Sequence, residues 1–232
     1  HALYATEGAI PSENFDPSYI EASEINIEVD SFMNHGSEII VPVKRISARE
    51  RCGISLNLAG TFAMDSTAMY ARHFMVTTPS STISLEAMMG MDTVNAPISV
   101  NLGATIGMDD LSRLAPPAVA PIIRQFPQYQ PLRIVADISG SMDDLRISRA
   151  SAEIPRHITI SAEGSIANYT DFNKAHGNIE LTGSISDGKF IKTALLNAKM
   201  RRTVNIPPLR MVGSATMAGG VINGRLRALT KG

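Results

Sequence analysis

The chain has 232 residues, 21 Lys and Arg against 22 Asp and Glu, one cysteine and no tryptophan. Nearly cancelling charges and the lack of a basic stripe exclude a nucleic-acid footprint; the densest positive cluster, Lys199, Arg201 and Arg202, is too short to act as one. Cys52 alone excludes both a disulfide framework and a multi-cysteine metal site. No run reaches the roughly 18 apolar residues of a spanning helix, and no signal-peptide pattern opens the chain. His1 reads as a tag remnant, and the whole as an internal piece of a longer protein.

Period-two alternation dominates from the start and predicts half-buried strands. Ile25, Ile27 and Val29 open the series, followed by Ile39, Val41 and Val43, where Pro42 predicts an edge or irregular strand. Ile54, Leu56, Leu58, Phe62 and Met64 alternate with small or polar residues. Ile83 to Met89, Ile98 to Leu102, Leu132 to Ile138, Ile158 to Ala162, Ile179 to Leu181 and Leu209 to Met211 continue the pattern. Each strand therefore has one apolar and one wet face.

A second pattern, apolar-x-Gly-Ser/Thr-apolar, lies on top of the first. It occurs at Leu58 to Phe62, Ile138 to Met142, Ala162 to Ile166, Leu181 to Ile185 and Met211 to Ala215, with a degenerate copy at Leu102 to Ile106. Gly60, Gly140, Gly164 and Gly183 have the parity of the apolar face. Such glycines suit a sheet curled around its greasy side, and equally the close approach of two packed sheets. The 12 methionines fit either an ordinary core or an apolar surface that adapts to variable ligands.

Asp residues end several runs, at Met64-Asp65-Ser66, Met91-Asp92, Met108-Asp109-Asp110 and Met142-Asp143-Asp144, and predict turns. Asp187-Gly188 and Gly219-Gly220 predict tight hairpins. The segment DDLSRLAPPAVAPIIRQF, Asp109 to Phe126, breaks the alternation. Asp109 or Asp110 is expected to cap a short helix carrying Leu111 and Leu114, with a second turn of helix through Ile122, Ile123 and Phe126 up to Pro127. This amphipathic piece is expected to plug one end or edge of the sheet.

The expected fold class is all-β: an elongated, curled antiparallel sheet of taco or trough type, with one short helical segment near 110–126. Residues 1–232 form a single strand-repeat segment with a weak subdivision near 128.

No chemistry-bearing motif stands out. His1, His35, His73, His157 and His176 are scattered and never paired at i, i+4. There is no nucleophile elbow, phosphate loop or dinucleotide fingerprint. The pairs Asp109-Asp110 and Asp143-Asp144 lack the alternate ligands and distal Glu of a calcium loop. The reading is a non-enzyme, without metal or cofactor.

The stretches Ile25 to Phe32, Val41 to Gly53 and Gly60 to Ser66, the later Gly-Ser strands and Val204 to Leu209 resemble the TamB translocation and assembly module family, of the AsmA-like superfamily. The resemblance runs from about Tyr4 to the end. It implies a periplasmic segment of an envelope-spanning protein whose parent chain is anchored in the inner membrane. It also implies phospholipid transport or assistance to outer-membrane protein assembly, with phospholipid acyl chains and, through the full-length chain, an outer-membrane barrel protein as partners. The groove residues expected on this reading are Ile54, Leu56, Leu58, Phe62, Ile134, Ile138, Ile160 and Leu181. The competing expectations are a closed structural or adhesive β-module and, more remotely, a carbohydrate-active enzyme.

Overall fold

A computed structural model describes residues 1–6, 8, 11–91, 95–141, 143–189, 192 and 206–230. The alternating segments form fourteen strands of one antiparallel sheet. They are β1 (Ala2–Ala5), β2 (Tyr19–Val29), β3 (Met33–His35), β4 (Glu38–Glu50), β5 (Ser55–Met64), β6 (Ala68–Thr77), β7 (Thr82–Gly90) and β8 (Pro97–Ile106). After two short helices, α1 (Met108–Leu114) and α2 (Ala120–Ile123), come β9 (Leu132–Ser141), β10 (Asp144–Ile154), β11 (Ile158–Ala167), β12 (His176–Ile185), β13 (Leu209–Ala218) and β14 (Val221–Thr230). From β4 onward every strand pairs with its sequence neighbour, and β3 pairs with β4 off the main path. The sheet is open and curled, and all-β as the alternation predicts. β8 and β9 pair along their whole length, from Pro97 opposite Ser141 to Ile106 opposite Leu132, so the sheet is unbroken across residue 128.

Curvature has a visible cause. Register slips mark bulges in β2, β4, β6 and β10, each adding local bend and twist. Gly140 and Gly164 have φ of 140° and 151°, a region open to glycine, and a Cβ on either would lie 2.0 Å from a backbone oxygen of the neighbouring strand. These glycines therefore mark bends within one sheet.

The helical segment sits on the apolar face at one end of the strands. Met108, Ala115, Ala120, Ile123 and Ile154 form the buried cluster, with Leu111, Phe126, Leu132 and Ile158 against it. On the opposite flank Phe15 N donates to Arg113 O at 2.8 Å and Arg113 Nη1 donates to Cys52 O at 3.2 Å. Six strand spacings of about 4.8 Å would separate β5 from β11 by roughly 29 Å in a flat sheet. The short helical pair touches the ends of both because the sheet curls around it.

One local expectation is narrowed and three change. Of the two alternatives for Pro42, the strand is irregular and not an edge: β4 slips register just after it, between Val43 and Ile46, yet pairs on both sides, and Pro42 lies where the β2 ladder gives way to that of β3, so the missing N–H breaks neither. The N-cap of α1 is Gly107 rather than Asp109 or Asp110, which lie in its first turn. Asp187-Gly188 is not a hairpin, because residues 186–208 separate β12 from β13. Gly188 and Lys189 are helical, and the Asp187 carboxylate accepts from Lys189 N at 2.9 Å, the bond of a helix start. At the β9–β10 turn the Ser141 hydroxyl, rather than an aspartate, accepts from the Asp143 and Asp144 amides. Gly219-Gly220 does make the β13–β14 turn, with φ of 56° and 76°. Asp92, Met142, Lys199, Arg201, Arg202, Val204 and Asn205 lie outside the described residues.

Candidate functional site: an apolar face spanning the sheet

Directly opposed residues of neighbouring strands share a face. The register can therefore be followed across the sheet. One row runs through Ile27, Ile46, Leu58, Val76, Ile83, Ala104, Ile134, Ala152, Ile160, Gly183, Met211 and Ala228. It crosses twelve strands without a polar side chain. A second runs through Val41, Phe62, Ala71, Ala87, Val100, Ile138, Ile147, Gly164, Ile179, Ala215 and Gly224. Between them lies a third row that includes Leu85, Leu102, Ala136, Ala150, Ala162, Leu181, Gly213 and Leu226.

The eight residues expected to line a groove fall on this face. Leu58, Ile134 and Ile160 share the first row, Phe62 and Ile138 the second, and Leu181 the third. Leu56 opposes Ala48, and Ile54 continues its parity toward the helical plug. Their environments differ. Ile54 is buried at the end of the sheet, whereas Phe62 is 52% and Ile160 44% exposed. The Phe62 ring meets Phe74 edge-on, with centroids 4.5 Å apart. No second sheet covers the face among the described residues, because all the strands belong to one sheet.

The other face is wet. Its row beside the first is Asn26, Ser47, Asn57, Thr77, Thr82, Thr105, Arg133, Glu153, Thr159, Ser184, Arg210 and Leu229, polar until the last strand. Arg72 bridges to Glu38 at 3.0 Å and stacks over the Tyr70 ring. His73 Nδ1 meets Glu86 at 2.8 Å. Such exposed pairs contribute little stability and keep this side hydrated.

Sequence spacing does not reveal what clamps the plug. Asp110 is buried, and its carboxylate accepts from the Thr78 and Ser81 hydroxyls, the latter at 2.5 Å. Asn14 Nδ2 donates to Ser112 O and Ala115 O at 2.8 and 2.7 Å, satisfying carbonyls at the end of α1. Glu50 Oε2 accepts from Cys52 N at 2.5 Å in the β4–β5 turn. Burial and the nearby Glu50 push the Cys52 thiol up to about 11, away from nucleophilic duty. Burial by itself would raise the Asp110 carboxyl, but the Ser80, Ser81 and Thr78 hydroxyls and the Arg113 charge outweigh it and hold it below the usual range.

That balance has a pH consequence. A depressed folded pKa makes ionised Asp110 stabilising above the ordinary carboxylate value near pH 4. The contribution is lost as pH falls through the lower folded value. Asp110→Asn should lower the thermal midpoint at neutral pH and flatten its decline below about pH 4. Parallel melts of both proteins across acid pH measure the difference, and identical slopes would remove Asp110 from the clamp.

Among the described residues no group of three or more His, Cys, Asp or Glu converges as a metal site would. No helix among them is long and apolar enough to cross a membrane. Comparison of the chain with family models, with curated proteins and with solved structures found no match.

Proposed function

We propose that the chain is a periplasmic section of an envelope-spanning protein, similar to the TamB and AsmA-like proteins, whose apolar face holds phospholipid acyl chains in transit. The row of twelve apolar or glycine positions from Ile27 to Ala228 carries this reading. Hydrocarbon needs continuous apolar area rather than hydrogen bonds, and each methylene transferred from water contributes about 0.8 kcal/mol. Methionines 64, 69, 89, 211 and 217 on the same face add side chains that adjust to chains of different length.

The same face would also suit the apolar side of a nascent outer-membrane strand, with an outer-membrane barrel protein as the partner of the full-length chain. Half-exposure of Phe62 and Ile160 favours a ligand-bearing surface over a closed structural or adhesive module, whose strands would bury such residues against a second layer. No catalytic or cofactor role is proposed.

Delipidated protein incubated with a fluorescent phospholipid should bind it saturably, and mass spectrometry of protein purified from envelopes should find phospholipid. Failure of both, with an elongated small-angle scattering profile showing the trough open, would refute the lipid reading. A compact profile would favour the closed module.

A further inference from the structure

The two ends of the strands are unlike. Where β8 passes to β9, the helical plug buries Met108, Ala120, Ile123 and Ile154. The polar groups that hold it are engaged in doing so: Asp110 accepts from hydroxyls and Asn14 donates to two carbonyls. At the other end the same apolar face finishes in a row that runs from Met64 through Met69, Met89 and Ile98 to Leu145 and Ile166. Met64, Met69 and Met89 are 38, 39 and 42% exposed. Both helices among the described residues lie at the plug end, so neither covers this row. Each end is built by connections between neighbouring strands, so the difference is set within the sheet itself.

The uncovered end has the chemistry of an entrance. Methionine gathers there, at 64, 69, 89, 91 and 217. Its unbranched side chains adapt to whatever moves across them. Polar turns follow at once: Asp65, Ser66 and Thr67 between β5 and β6, and Asp143 between β9 and β10. From Leu132 against the plug to Gly140 in the methionine row is eight residues along β9, roughly 27 Å at about 3.4 Å each. One leaflet of bilayer hydrocarbon is about 15 Å deep, half the core thickness. An acyl chain therefore fits along the strands, its terminus pointing to the driest part of the face and its headgroup beside hydrated turns.

Resting on the lipid reading above, we infer that phospholipid enters tails first at the methionine-lined end. Its acyl chains run along the strands toward the plug, and its headgroup stays at the β5–β6, β7–β8 and β9–β10 turns. The reverse orientation would press the phosphate charge into the apolar cluster around Met108, Ile123 and Ile154, at a large desolvation cost. A chain laid across the strands would instead show no preference for either end.

The chain has no tryptophan, so a single introduced one reports alone. Ile134→Trp places it on the apolar row nearer the plug, and Met89→Trp places it in the methionine row. Phosphatidylcholine brominated at the chain termini should quench the first more than the second, because bromine quenches only near contact. Phosphatidylcholine brominated on the chain carbons next to the headgroup should do the reverse. Ile83→Trp and Met69→Trp repeat the two positions, and far-UV circular dichroism identifies the folded variants. Bound lipid that quenches both positions equally, or in the opposite order, overturns this inference and leaves the lipid reading standing. Failure of the wild type to bind fluorescent phospholipid overturns both.

Discussion

Gly164→Ala is expected to destabilise the protein by about 3 kcal/mol or more. The glycine has φ of 151°, which an L side chain rarely adopts, and the new Cβ would lie 2.0 Å from Asn178 O on β12. Either β11 straightens or the β11–β12 ladder opens, and both outcomes flatten the trough at its middle rows. Gly183 offers the internal comparison. It stands on the same face of β12 with ordinary φ, and its added Cβ would approach nothing closer than 3.0 Å, the mobile end of Met211. Gly183→Ala should therefore cost far less. Urea unfolding of the two variants beside the wild type measures the contrast; equal midpoints would mean that the bend at Gly164 is not required.

Ile160→Asp should reduce binding of a fluorescent phospholipid by at least about tenfold. The side chain sits on the twelve-strand apolar row, 44% exposed, so the carboxylate is tolerated by the fold yet placed where hydrocarbon would lie. Loss of contact with two or three methylenes at about 0.8 kcal/mol each accounts for a factor of this size before the cost of desolvating the charge is added. Thr159→Asp puts the same charge one residue away on the wet face and should leave binding unchanged. Far-UV circular dichroism must match the wild type in both. Equal binding by both variants would remove the apolar face from the proposed function.

Much of this architecture is legible in the linear chain, for a specific reason. Strand side chains alternate with period two, so Ile134, Ala136 and Ile138 against Arg133, Val135 and Asp137 already state which face each residue takes. A one-residue slip would turn that set over, so the pattern also constrains the pairing. The break at Asp109 to Phe126 is equally plain, because prolines and i, i+3 apolar spacing do not fit a ladder. The details that escaped are those settled by distant partners. Pro42 is interior because two different strands share its flank, and Asp187 starts a helical turn where composition suggests a hairpin. Asp110 acts through hydroxyls some 30 residues earlier in the chain rather than as a cap.

The sequence alone determined the strand class, the two faces of nearly every strand and the place of the helical interruption, because these follow from local alternation and turn chemistry. Only the tertiary structure decided that all strands join one sheet, that the apolar rows align across twelve of them, and that Asn14 and Asp110 lock the plug into one end. Hydrogen-bond pairing between strands is chosen by contacts far apart in the chain, which no local pattern encodes.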